Sequence, residues 1–75
     1  MWHKGSLKVY DCCFHYWVKT YLTGSEWGID GGKISKLTVK CNGEIVVNYD
    51  RGWDIEPASD VAKLALDIII HEYNS

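Results

Sequence analysis

At 75 residues the chain has room for one domain, residues 1–75, with a small core. An apolar share of 47% and a charged share of 24% exclude a disordered chain, and a net charge of −2 with a pI near 5.8 argues against a general nucleic-acid binder. Cys12, Cys13 and Cys41 make an odd, partly vicinal set rather than a disulfide framework. The N-terminal stretch lacks the apolar run of a signal peptide, and nothing approaches the length of a membrane span. The expectation is a cytoplasmic protein that does not engage membranes.

In chain order, "SLKVY" reads as a weak first strand. "FHYWVKTYL" alternates more clearly: Phe14, Tyr16, Val18 and Leu22 share one face, and His15, Trp17, Lys19 and Tyr21 the other. Residues 23–32 make a loop, in which Gly28, Gly31 and Gly32 allow a turn with positive φ. "GIDGGKIS" is not a phosphate loop. Trp27 stands where its first glycine belongs, Ile34 stands where Ser or Thr belongs, and the segment enters a strand rather than a helix.

"KISKLTVKC" and "EIVVNYD" follow as strands joined through Asn42-Gly43, a strong hairpin signal. A two-residue loop would pair Cys41 with Glu44, Val39 with Val46 and Leu37 with Asn48, putting Leu37 and Val39 on the opposite face from Ile45 and Val47. A three-residue loop, Cys41 to Gly43, corrects this. It pairs Val39 with Ile45 and Leu37 with Val47, and it leaves Cys41 at the exposed tip. Val46 and Asn48 then face away from the core.

"NYDRGWDIEP" is read as the crossover from the last strand into a helix that starts at Pro57. Trp53 caps the open end of the core, and Arg51 pairs with Asp50, Asp54 or Glu56. In "PASDVAKLALDIIIHEYNS", Asp60, Lys63, Asp67, His71 and Asn74 trace one narrow polar stripe. The remaining helix surface is apolar, which implies broad packing against a sheet. The expected fold is therefore α+β: a four-stranded antiparallel sheet, three-stranded if the weak first strand fails, with one C-terminal helix on one face.

A single helix covers one side of such a sheet. The other side would carry Trp17, Lys19, Tyr21, Lys36, Thr38, Lys40 and Asn48, with His15 and Val46. This is the candidate binding surface, because solvent alone does not call for these rings; the alternative is cross-strand packing, with lysine stems covering the rings. In the loops, Trp27, Asp50, Arg51, Trp53 and Asp54 are structural or binding candidates. The chemistry-bearing residues form no catalytic constellation, and the Cys and His residues lack metal-ligand spacing. No enzyme, metal or cofactor is expected.

Two stretches, "SEWGIDGGKISKL" and "NYDRGWDIEP", resemble a family of small uncharacterised phage and prophage proteins. The matching residues here are Gly28, Ile29, Gly31, Gly32, Ser35, Lys36, Asn48, Asp50, Arg51, Trp53 and Asp54. The resemblance spans residues 2–73, is weakest over the first strand, and implies a mobile-element origin but no reaction. With the small size it points to a module that binds a host or phage protein, an anti-CRISPR-like inhibitor being one version. Single-stranded nucleic acid ranks below that because the chain is acidic. Self-association into a homodimer through the open face or an edge strand is the third reading.

Overall fold

The computed structural model describes residues 2–24 and 28–74. Five strands run as an antiparallel meander, β1 (Trp2–Val9), β2 (Cys12–Thr20), β3 (Ile34–Cys41), β4 (Glu44–Asp50) and β5 (Trp53–Ile55), and one helix, α1 (Asp60–Asn74), follows. The α+β architecture is as the sequence implies, with five strands rather than four. The extra strand comes from "NYDRGWDIEP". This stretch is not a plain crossover: Arg51 takes a φ of 58°, and the chain turns back so that Tyr49 pairs with Trp53 and Asn48 with Ile55.

Alternation sends Phe14, Tyr16 and Val18 of β2, Leu37 and Val39 of β3, and Val47 and Tyr49 of β4 toward the helix, where all are buried. Ala62, Ala65, Leu66 and Ile69 of α1 meet them. Fully burying a side chain such as Leu37 or Ile69 stabilises the fold by roughly 1.5–3 kcal/mol. Leu22 does not join this core. β2 ends at Thr20, and Leu22 is 92% exposed.

The β3–β4 hairpin meets the one-sided core by a different device from the three-residue loop. Asn42 and Gly43, with φ of 54° and 80°, form a two-residue loop, and Cys41 pairs with Glu44 inside the ladder. The extra residue is taken up as a bulge at Val46, so Val39 pairs with Val47 and Leu37 with Tyr49. Ile45 therefore lies opposite Lys40 and is exposed, while Val46 packs half-buried against the core rather than on the open face. Cys41 is half-buried, not an exposed tip.

Pro57 lies three residues before the first residue of the helix. Ser59 is the cap: its Oγ accepts the N–H of Ala62 at 3.1 Å, and its carbonyl accepts the N–H of Lys63 at 3.0 Å. Packing is narrower than the polar stripe implies, since Leu64 and Ile68 remain 40% and 44% exposed on one flank. At the other end Asn74 pins the long loop. Its Oδ1 accepts the N–H groups of Lys33 and Ile34 at 2.9 and 3.3 Å, and its Nδ2 donates to the Ile29 carbonyl at 3.2 Å. This explains the glycines better than dihedral freedom does. Of Gly28, Gly31 and Gly32, Gly31 alone has positive φ, whereas a Cβ on Gly32 would overlap the Asn74 amide and one on Gly28 would overlap the Gly32 carbonyl.

Candidate binding face of the sheet

No described element covers the side of the sheet away from α1. Its outward positions follow from register. The first row across the strands is Trp2, Lys19, Lys36 and Asp50; the second is Lys4, Trp17, Thr38 and Asn48; the third is Ser6, His15, Lys40 and Ile45. Lys8 and Cys13 pair at the end. Neighbouring residues in a row are about 5 Å apart and successive rows about 7 Å apart. Trp17, Lys19, Lys36, Thr38, Lys40 and Asn48 are thus brought onto one surface. Tyr21 follows the last residue of β2, with its N–H bonded to the Lys33 carbonyl at 2.8 Å, and is 38% exposed.

The charge on this face differs from the chain average. Lys4, Lys8, Lys19, Lys36 and Lys40, five of the eight Lys and Arg residues, project here, and no outward position of β1, β2 or β3 is acidic. Exposed Asp11 lies in the turn between β1 and β2, and along the strands the outward carboxylates begin at the β4–β5 side. Asp50 lies 3.8 Å from Lys36 Nζ and 3.5 Å from Arg51 Nε, so Arg51 takes Asp50 as its partner. Other acidic residues, Glu56, Asp60, Asp67 and Glu72, fall on the connection to the helix and on the helix itself.

Rings and lysines interleave. Lys40 Nζ sits 5.6 Å from the centroid of Trp17, and Lys19 Nζ sits 6.0 Å from that of Trp2, close enough for cation–π attraction. The rings stay open all the same, at 57% exposure for Trp2 and 38% for Trp17. Two shallow grooves share Trp17. One, of about 410 Å³, is lined by Trp2, Trp17, Thr38 and Lys40; the other, of about 340 Å³, by Lys4, Gly5, Ser6, His15, Tyr16 and Trp17.

β1 contributes Trp2, Lys4, Ser6 and Lys8, which the sequence reading omits. The available signal was the alternation of these residues with His3, Gly5, Leu7 and Val9. A glycine at the strand centre and few β-branched side chains weaken it. Gly5 is required because the Tyr16 ring passes beneath it toward the helix. There the Tyr16 and Tyr73 hydroxyls lie 3.2 Å apart. That hydrogen bond, with burial and the nearby Tyr73 and Glu72, pushes the Tyr16 hydroxyl from the ordinary 10.0 up to about 12.

The loop candidates separate. Trp27 lies outside the described residues. Trp53 leans edge-on against buried Tyr49, with ring centroids 5.0 Å apart and planes at 74°, and is still 43% exposed, so it caps the core without being enclosed. Asp54 accepts the Asn48 amide at 2.9 Å and extends the second row to β5. Cys12 is half-buried and Cys13 exposed, as neighbours on a strand should be. Partial burial, reinforced by Cys12, raises the Cys41 pKa, which makes it a poor nucleophile.

A protein-family model described as a domain of unknown function, DUF7678, matches residues 1–74. The chain belongs to this family. The resemblance carried by the two sequence stretches therefore holds at the level of an uncharacterised domain. Searches of curated proteins and of solved structures gave no match. Among the described residues, no helix is long and apolar enough to cross a membrane.

Proposed function

We propose that this DUF7678 domain is a non-enzymatic binding module that holds single-stranded nucleic acid against the bare face of its sheet. The observation that carries the reading is the segregation of charge: five outward lysines on β1, β2 and β3 with no outward carboxylate among them. The net charge of −2, which places nucleic acid second in the sequence reading, averages two unlike sides. Exposed Trp2, Trp17 and Tyr21 offer π faces for bases, and the lysines beside them offer charge to phosphates. The lysine content also bears on the choice of partner. Protein interfaces favour Arg and disfavour Lys at their centres, whereas flexible ammonium groups suit a phosphate backbone.

A protein partner is the second reading, favoured by the exposed Leu64 and Ile68 on the helix flank. A phage or prophage origin would make that partner a host or phage protein, with an anti-defence role as its concrete form.

The test of the first reading is fluorescence anisotropy with a short labelled single-stranded oligonucleotide across a salt series. Binding is expected to weaken with salt, with a log–log slope of about −0.7 for each phosphate neutralised. No binding at micromolar protein, or binding indifferent to salt, overturns it.

A further inference from the structure

We infer that a base stacked beside Trp17 is read by Thr38, and that the face prefers cytosine to uracil. The inference rests on the nucleic-acid reading above and adds a specificity to it. Thr38 lies directly across from Trp17 on one side and Asn48 on the other, and both Trp17 and Thr38 line the 410 Å³ groove.

The proton positions in this row follow from elementary chemistry. A carboxylate accepts hydrogen bonds and does not donate them. Asp54 is 2.9 Å from the Asn48 amide, so the amide nitrogen must face Asp54. That turns the amide oxygen toward Thr38, 2.9 Å from its hydroxyl. An amide oxygen only accepts, so the Thr38 hydroxyl commits its single proton to Asn48. What Thr38 Oγ1 presents to the groove is a lone pair.

Cytosine and uracil have the same ring size but opposite hydrogen-bonding edges: at C4 cytosine carries an amino donor and uracil a carbonyl acceptor, while at N3 cytosine offers a lone pair and uracil an N–H. Thr38 would meet the stacked base at its C4 substituent, which projects furthest from the ring, and there the Thr38 lone pair satisfies the amino group of cytosine and opposes the carbonyl of uracil. Lys40 does not cancel this preference. Its ammonium sits over the Trp17 ring, where the stacked base would lie, and its long stem can carry it outward to the phosphate. The polarity along the strands agrees: the outward lysines occupy β1 to β3, and the outward carboxylates Asp50 and Asp54 stand on β4 and β5, where a base edge rather than a phosphate would point.

The experiment compares oligo(dC) and oligo(dU) of equal length, at a pH where both are single-stranded. It uses the native domain, Thr38→Val and Thr38→Ser. The native domain is expected to bind oligo(dC) about fivefold tighter, the worth of one ordinary hydrogen bond. Thr38→Val keeps the shape, loses the lone pair and should bring the ratio to about one, whereas Thr38→Ser should retain the preference. Equal or reversed affinities for the native domain overturn the inference and leave the nucleic-acid reading standing. A preference that survives in Thr38→Val overturns the role of Thr38. Failure of both strands to bind overturns the nucleic-acid reading and this inference with it.

Discussion

Replacing Gly32 with alanine tests whether the helix end and the long loop are locked together. The backbone at Gly32, φ −93° and ψ −157°, is open to any residue, so the substitution carries no conformational penalty of its own. The added carbon would instead overlap the Asn74 amide, which must move and release the bonds it makes to Ile29, Lys33 and Ile34. Three partly buried hydrogen bonds at roughly 0.5–1.5 kcal/mol each put the loss near 2–3 kcal/mol, and Asn74→Ala should lose about the same. With the asparagine gone the alanine has room. In that background Gly32→Ala should be neutral, or stabilising by up to about 1 kcal/mol through a stiffer unfolded chain. The double variant is then expected to resemble Asn74→Ala alone, a coupling of about 2 kcal/mol or more. Urea titration followed by tryptophan fluorescence measures all four proteins. Additive losses, or a Gly32→Ala that is harmless in the native background, would refute the clamp.

Three further outcomes are expected. The Tyr16 hydroxyl keeps its proton up to about 12 when folded and only to about 10 when unfolded, so its contribution to stability is complete below pH 10 and lost as pH rises toward 12. Tyr73→Phe should cost about 1 kcal/mol near neutrality and flatten that alkaline decline, as read by urea titrations along a pH series. Gly43→Ala meets no neighbouring atom but must keep a φ of 80°, so it should cost roughly 1 kcal/mol by the same titration; a neutral result would contradict the two-residue turn. Lys4→Gln and Lys40→Gln should each reduce the salt slope of oligonucleotide binding by about 0.7 while leaving unfolding within about 0.5 kcal/mol, and an unchanged slope counts against phosphate contact.

Much of this fold is legible because its period is legible. Phe14, Tyr16 and Val18 alternate cleanly, and so do Leu37 and Val39, so β2 and β3 and their inward faces follow from the sequence. The need for an odd residue between Val39 and Val47 is legible as well. Its position is not, because hydrophobic phase alone does not distinguish a looser turn from a bulge; Asn42-Gly43 keeps its preferred tight turn and Val46 absorbs the excess. β5 escapes because three residues, Trp53 to Ile55, carry no measurable alternation. Asn74 reads as one more residue of the polar stripe, since a bond to Ile29 across 45 positions leaves no local trace. The candidate binding face is half legible. Trp17, Lys19, Lys36, Thr38 and Lys40 come from the strong strands, but the charge segregation emerges only when β1 adds Lys4 and Lys8.

The most direct test of the central claim is an amide and indole NMR map of the isotope-labelled domain, recorded with and without a short single-stranded oligonucleotide. The indole signals of Trp2 and Trp17 and the amides of outward residues on β1, β2 and β3 should shift together, with the Leu64–Ile68 flank of the helix unmoved. Shifts centred on that flank, or a spectrum that does not change, would contradict it.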